Sequence, residues 1–445
     1  MNGKKVYIVT LGCSKNEVDS EIMLSLLSKN NYEIADSIDE ANVIIVNTCG
    51  FIETAKEESI DTIWEMTKYK EEGSCEYLIL AGCLAQRYSK ELMEEIEGVD
   101  AVIGTGSIKD LNNILNDLEK DRKIIKTGNI DESYLENVER INFSTTAYVR
   151  ISEGCNNFCT YCIIPKLRGK HRSRRMEDII KEVNYLAEND VKEIILIAQN
   201  TSDYGIDLYG EYRLNKLLDE LNKIHGIRWI RVLYLYPDNF SNHLIKSIKS
   251  NEKVVKYVDI PLQHISDNVL KKMNRRTSKA DIIKLISTLR KEIPDIIIRT
   301  TFIVGFPGET EDDFNELYEF IKEVKFDRLG VFTYSKEEDT PAFNLPHHIS
   351  AKEKEERRDR LMNLQQEISE ALMAEKIGKT YEVLLEEVAG DNVFVGRTYM
   401  DSPDIDGVVY VNTKEDVYLG DFVKVKITDS LEYDLIGDME DESSK

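Results

Sequence analysis

Early in the chain, apolar runs recur and each ends in a small polar turn with a cysteine: Val6-Tyr7-Ile8-Val9-Thr10-Leu11-Gly12-Cys13, Val43-Ile44-Ile45-Val46-Asn47-Thr48-Cys49 and Tyr77-Leu78-Ile79-Leu80-Ala81-Gly82-Cys83. Each run predicts a strand, and helical patterns follow at about 17–28, 55–69 and 90–96. Strand, turn and helix in series imply a parallel sheet with right-handed crossovers. Such a sheet places the carboxyl ends of its strands along one edge, where sites form, so three cysteines distant in sequence would converge there. A further unit, 99–104 and then 108–118, completes a domain expected over residues 1–120. Cys75 begins its strand, belongs at the opposite edge and reads as structural. Residues 121–140 are charged and weakly patterned, a linker with a short strand at 123–126.

The next stretch, 141–375, repeats strand and helix. Strands are expected at 146–151, 193–198, 227–236, 256–260, 296–304 and 328–334, with helices at 176–187, 214–224, 242–250, 279–291 and 311–324 between them. Six such repeats imply an open parallel (β/α)6 partial barrel, whose chemistry belongs at the carboxyl ends of the strands. The turns there are the loop at Cys155, Gln199-Asn200-Thr201-Ser202, Tyr236-Pro237, Gln263-His264 and Gly305-Phe306-Pro307-Gly308. A long charged helix closes the stretch, entered by a capping box at Ser350-Ala351-Lys352-Glu353 and striped by Leu361, Leu364, Ile368 and Leu372. The period then changes. Alternating segments at 381–387, 392–397, 407–411 and 422–429 predict a small antiparallel barrel of the oligonucleotide-binding kind over 376–440.

Charge alters what that last barrel should hold. Residues 376–445 carry 7 basic and 17 acidic side chains, the wrong sign for phosphate and the right one for a basic polypeptide. The whole chain of 445 residues has a formal net charge of −24, which works against non-specific nucleic-acid binding and also serves plain solubility. Apolar runs are strand-sized, so no membrane span is expected, and the absence of a basic-then-apolar leader gives a cytoplasmic expectation. Six of the seven cysteines fall in two sets of three, which points to metal binding in a reducing compartment rather than disulfides.

The denser set lies in Glu153-Gly154-Cys155-Asn156-Asn157-Phe158-Cys159-Thr160-Tyr161-Cys162. A tetrahedral zinc site wants four ligands, usually as separated pairs; three closely spaced thiolates suit three corners of an iron–sulfur cube better and leave one iron open to a small molecule. Cys13, Cys49 and Cys83 make a second candidate cluster site, although each also fits a small apolar filler at a strand end. Gln199 and Gln263 suit either a hydrogen bond to a cofactor or closure of the barrel rim, and His264 reads as a rim histidine. Gly305 and Gly308 around Phe306 would let backbone approach a nucleoside, as they would any tight turn. Lys166, Arg168, Lys170, Arg172, Arg174 and Arg175 either offset the charge of a thiolate-bound cluster, meet the carboxylate of a small-molecule cofactor or form a solvated loop.

The cysteine spacing, with Tyr161 one place before the last thiol, resembles the radical S-adenosylmethionine (SAM) signature. Over nearly its whole length the chain resembles the radical-SAM methylthiotransferase family, with its amino-terminal three-cysteine domain, radical-SAM barrel and carboxyl-terminal TRAM domain. Leu11-Gly12-Cys13-Ser14-Lys15-Asn16, Asn47-Thr48-Cys49-Gly50-Phe51-Ile52, Gly82-Cys83-Leu84-Ala85-Gln86-Arg87-Tyr88 and Thr301-Phe302-Ile303-Val304-Gly305-Phe306-Pro307-Gly308 carry the likeness. They look most like the RimO type, which modifies an aspartate of ribosomal protein S-twelve. Ala198-Gln199-Asn200-Thr201 and Gln263-His264-Ile265 depart from the sibling MiaB type, which modifies a transfer-RNA adenosine. Ser14 departs from the RimO pattern, where Pro is common, at a turn position that ligates nothing.

The resemblance implies an enzyme with two 4Fe-4S clusters. Cys155, Cys159 and Cys162 would hold the one that cleaves SAM to a 5′-deoxyadenosyl radical, and Cys13, Cys49 and Cys83 the one that carries sulfur. Tyr161, Gln199, Gln263, Gly305 and Phe306 are the expected SAM contacts. Implied partners are protein S-twelve or the small ribosomal subunit, an electron donor and a sulfur source, with nucleic acid not the primary substrate. A noncatalytic iron–sulfur or zinc protein docked on the ribosome is the competing class.

Overall fold

The computed structural model describes residues 3–120, 123–132, 136, 139–141 and 143–440. Within the expected linker, residues 121–122, 133–135 and 137–138 lie outside the described residues. The amino-terminal sheet is all parallel, in the order Glu33–Ile34, Lys5–Thr10, Val43–Thr48, Tyr77–Ala81, Val99–Gly106, Ile124–Gly128. Its central strand is buried at every residue. Alternate side chains serve two cores. Val43 and Ile45 pack with Val18, Ile22 and Leu111 of helices Ser14–Ser28 and Leu111–Leu118. Ile44 and Val46 face the other way and pack with Ile63 and Met66 of helix Glu53–Glu72. Burial on both faces is why these runs are apolar without alternation. At about 1.5–3 kcal/mol for each large side chain, this sandwich is the main reason the edge carrying the cysteines is rigid. Cys75 is buried at the opposite edge; its thiol donates to the Tyr77 carbonyl at 3.3 Å, and burial pushes its pKa up to about 11.

The partial barrel has its six expected parallel strands, split three and three. Trp229–Val232, Glu193–Ile197 and Thr146–Arg150 form one sheet; Tyr257–Asp259, Ile297–Val304 and Arg328–Thr333 form the other. At the seam, single contacts replace a ladder: a bridge joins Ile230 to Val254, and the Tyr234 amide donates to the Asp259 carboxylate at 3.0 Å. Short helices Ile164–Arg168 and Asp267–Lys272 were not evident from the apolar pattern. The helix Ala351–Ala374 is capped by Ser350, which accepts the Glu353 amide at 3.3 Å. The expected capping box is only half formed, because the Glu353 carboxylate accepts from Arg357 at 2.6 Å instead.

The terminal domain is a closed five-stranded barrel in the order Thr380–Gly390, Val393–Arg397, Val409–Asn412, Leu435–Met439, Phe422–Ser430. Four seams are antiparallel as expected; the fifth, Val409–Asn412 against Leu435–Met439, is parallel. Strand direction cannot alternate all the way round a closed ring with an odd number of strands, and the strand at 435–439 is the one the tail pattern did not reveal.

The connection after Val393–Arg397 plugs the amino-terminal end of the partial barrel. Arg397 pairs with Glu193 at 2.7 Å, Arg328 donates to Asp401 at 3.1 Å, and the Tyr257 hydroxyl donates to Asp406 at 2.6 Å. Glu193, Tyr257 and Arg328 are the first residues of their strands, so the opposite, carboxyl end remains for a site. No helix among the described residues is long and apolar enough to cross a membrane.

Two cysteine trios at one domain boundary: a candidate active site

The amino-terminal trio follows neighbouring strands that end at Thr10, Thr48 and Ala81. Glycines bring the three turns into contact. A Cβ on Gly12, at φ 89°, would lie 2.7 Å from the Cys49 Cβ; one on Gly50 would lie 2.8 Å from the Leu84 amide, beside Cys83. Asn16 stitches the turns together, donating to the carbonyls of Leu11 at 2.9 Å and Thr48 at 3.0 Å, while Asn47 donates to the Asn16 carbonyl at 2.8 Å. Cys13 is exposed; Cys49 and Cys83 are buried. Burial pushes the Cys49 thiol up and the Cys83 thiol to about 12, with the neighbouring thiols adding to the effect and Arg168 opposing it.

The second trio sits at the tip of a small hairpin in which Ser152–Glu153 pairs antiparallel with Arg172–Ser173. The Cys155 amide donates to the Gly169 carbonyl at 3.1 Å. Phe158 takes a positive φ of 49°, and Asn274 donates to its carbonyl at 3.0 Å. Thr160 is pinned at the end of helix Asp267–Lys272: its amide donates to the Met273 carbonyl at 3.1 Å and its hydroxyl to that of Lys272 at 2.8 Å. The Cys159 sulfur lies 3.8 Å from the Tyr236 hydroxyl, over whose ring the Arg275 guanidinium stacks at 3.8 Å. Burial first, then Cys159, pushes the Cys155 thiol up to about 11, and Cys162 is raised in the same way.

The raised thiols of Cys49, Cys83, Cys155 and Cys162 suit a group that brings its own positive charge, as a polynuclear iron cluster does. Among the described residues, no three His, Cys, Asp or Glu side chains are gathered tightly enough to hold a single metal ion. In an iron–sulfur cube each thiolate would bind a different iron, so three such ligands stand wider apart than around one ion.

The trios meet across the domain boundary. Cys83 forms a small buried cluster with Ile163, the residue after Cys162, and with Leu167. Arg168, on the same short helix as Leu167, donates to the Cys83 sulfur at 3.4 Å and to Asn16 at 2.8 Å, and pairs with Asp19 at 2.9 Å and Glu153 at 3.3 Å. Arg150 joins the same carboxylates, at 2.7 Å from Asp19 and 2.8 Å from Glu153. All of these charged groups are buried. Buried ions persist where they are mutually paired, as here.

The other expected residues fall around this centre. Gln199 donates to Glu153 at 2.8 Å, closing the rim beside the hairpin. Gln263, at φ 71°, bridges to Phe302. Tyr161 packs against the cluster containing Phe306, Met273 and Tyr334. Phe306 is fully buried, and its amide donates to Glu309 at 3.1 Å. The space that a side chain at Gly305 would need is taken by Lys354, whose Cδ would lie 3.0 Å from an added Cβ. That glycine therefore clears the long helix. His264 is buried, and its Nδ1 accepts the Ser266 amide at 3.0 Å, as a rim histidine should. Of the basic segment, Arg168 reaches a cysteine; Arg174 is instead buried against Glu182 at 2.6 Å, and Arg172 lies 3.5 Å from Asp131. No role was evident in the sequence for Asn16, Asp19, Glu153 or Arg275, although charged residues within the cysteine motifs were a usable signal.

Compared with known proteins, the chain matches the models described as Uncharacterized protein family UPF0004 over residues 5–104, Radical SAM superfamily over 149–321 and TRAM domain over 377–439. The ribosomal protein uS12 methylthiotransferase RimO of Clostridioides difficile (strain 630) is 54% identical over 437 residues, 98% of each chain. A protein of the same name from Clostridium botulinum (strain Eklund 17B / Type B) is 52% identical over 448 residues, covering 100% of both. Among solved structures, the radical S-adenosylmethionine methyltransferase TsrM from Kitasatospora setae superposes with a TM-score of 0.58 at 12% identity, over 76% of this chain and 77% of that one. At that identity the likeness concerns the fold alone.

Proposed function

The chain belongs to the uS12 methylthiotransferase family of radical-SAM proteins, and we propose that it inserts a methylthio group at the β-carbon of an aspartate in small-subunit ribosomal protein uS12. The observation that carries this reading is the meeting of two cysteine trios at one boundary, with Cys83 packed on Ile163. A carbon beside a carboxylate offers no acidic proton and no leaving group here, so hydrogen abstraction and sulfur delivery must reach the same atom. SAM and two 4Fe-4S clusters supply that chemistry when bound, as methyl donor, radical source and sulfur carrier.

In this reading Cys155, Cys159 and Cys162 hold the SAM-cleaving cluster and Cys13, Cys49 and Cys83 the sulfur-carrying one. Tyr161, Gln199, Gln263, Gly305 and Phe306 shape the SAM side, which the shared packing of Tyr161 and Phe306 supports. Arg168 and Arg150 reach from the barrel to Asp19 and hold the two halves in register, and the hairpin Ser152–Glu153 keeps the loop of thiols at the rim. Each turnover consumes a sulfur atom, and each SAM cleavage must be started by one electron from a reduced cluster, so a sulfur source and an electron donor that reduces the cluster are required partners. The acidic terminal barrel favours a basic protein over transfer RNA as substrate. The division into residues 1–120, 141–375 and 376–440 follows the same logic.

The test is anaerobic incubation of the reconstituted chain with SAM, sulfide, reductant and uS12, followed by intact-mass measurement. A mass gain of one methylthio group in place of hydrogen, mapped to an aspartate, is expected. Modification of transfer RNA with uS12 untouched would refute the proposal.

A further inference from the structure

Buried cations at the domain boundary come with carboxylates. Arg150 has Asp19 and Glu153, Arg168 has the same two, Arg87 has Glu337 at 2.7 Å, and Arg140 has Glu182 at 2.8 Å. Lys15 breaks the pattern. It is only 7% exposed, lies in the first turn of helix Ser14–Ser28, two residues beyond Cys13, and has no carboxylate within ion-pairing distance among the described residues. Its ammonium rests over the ring of Tyr234, 2.8 Å from the centroid. A buried ammonium without an anion is costly, and an aromatic face offsets only part of that cost.

Tyr234 belongs to the barrel, just past strand Trp229–Val232 at its carboxyl end. Its backbone is clamped: the amide donates to Asp259 at 3.0 Å, and the carbonyl accepts the Thr201 amide at 3.1 Å and hydroxyl at 3.0 Å. The ring therefore fixes the ammonium where the amino-terminal trio meets the barrel mouth. That is the space in which sulfur and radical must reach one carbon.

We propose that Lys15 is a substrate-binding residue that takes the side-chain carboxylate of the target aspartate. This assignment rests on the function proposed above and names the group that would complete the Lys15 environment. Its physical appeal is short leverage: the reacting β-carbon is bonded directly to the carboxylate carbon, so holding the carboxylate holds the reacting atom. A compact ammonium over a fixed ring suits one carboxylate and holds a neutral amide of the same shape less tightly, since the amide oxygen accepts a hydrogen bond but brings no opposite charge. SAM also carries a carboxylate, and the experiment separates the two sources.

Lys15→Met keeps the length and removes the charge; Lys15→Arg keeps the charge. Both variants, reconstituted anaerobically, are compared with the unmodified chain for iron content, SAM affinity and KM towards purified uS12 and towards its target Asp→Asn variant. Expected for Lys15→Met are unchanged iron, unchanged SAM affinity and a KM for uS12 raised at least roughly tenfold, with the preference for Asp over Asn lost. Lys15→Arg should recover part of that preference. Unaltered KM and unaltered Asp preference in Lys15→Met would overturn the assignment. Weakened SAM binding would move Lys15 to the SAM carboxylate, lost iron would make it a support of the trio, and either result also overturns it. An unmodified chain that leaves uS12 untouched would sink the substrate reading itself, and this assignment with it.

Discussion

The two trios solve one problem in opposite ways. Cys155, Cys159 and Cys162 are brought together by eight consecutive residues, and the fold adds pins, among them Asn274 on Phe158, and Met273 and Lys272 on Thr160. Cys13, Cys49 and Cys83 are brought together by three strands of a sheet, with the glycine turns and Asn16 as fasteners. A local trio can be read from spacing and can survive modest changes in the sheet. An assembled trio inherits the rigidity of the sheet and is lost if the sheet slips. The largest effect that tests this division is Cys159→Ala against Cys83→Ala. Cys159→Ala should abolish release of 5′-deoxyadenosine and product together. Cys83→Ala should abolish methylthio transfer while 5′-deoxyadenosine still forms, measured by chromatography of the same reaction. Loss of SAM cleavage in both would mean the trios do not divide the work.

Arg168 is the next lever, because it serves only one of the trios directly. Its guanidinium donates to Cys83 while holding Asp19 and Glu153 from opposite sides of the boundary. Arg168→Met leaves those carboxylates buried with one cation fewer, which costs on the order of 3–5 kcal/mol where a buried pair is broken. If Cys83 ligates a cluster as proposed, a hydrogen bond to its sulfur also stabilises the more negative, reduced state, so its loss should lower the reduction potential at that site alone. Denaturant unfolding reads the first effect and potentiometric titration followed by electron paramagnetic resonance the second. Equal shifts in both sets of cluster signals would contradict the asymmetry.

That asymmetry also marks where sequence reasoning stops. The runs at 43–48 and 77–81 announce buried strands because both faces of each strand are covered, and a parallel sheet then forces their following cysteines onto one edge. The pairing of Arg168 with Asp19 is invisible in the same way that the fit of any two domains is: each residue reads as an ordinary surface charge until the other half arrives. Helix Asp267–Lys272, which pins Thr160, is too short to show a period, and the parallel seam of the terminal barrel follows from closure rather than from any local pattern.

The smallest effect concerns the support behind the local trio. His264 accepts the Ser266 amide, Ser266 starts helix Asp267–Lys272, and that helix ends on Thr160 between Cys159 and Cys162. Burial holds the His264 pKa down to about 3, so the folded ring stays neutral while the unfolded chain takes up a proton below about 6.5. The unfolded state thus binds more protons over that window, and the contribution of His264, complete above the unfolded pKa, is lost as the pH falls; at pH 5 the loss is about 2 kcal/mol. Burial also pushes Glu309, which faces His264, up to about 7 despite Arg357, and a raised carboxyl acts in the opposite sense over the same window. The effect is therefore read as a difference. Between pH 7 and pH 5, the unfolding free energy of the unmodified chain should fall by about 2 kcal/mol relative to His264→Asn, which has no ring to protonate. Parallel pH curves for the two chains would mean that the loop trio has no acid-sensitive support, and the contrast with the sheet-held trio would then rest on covalent spacing alone.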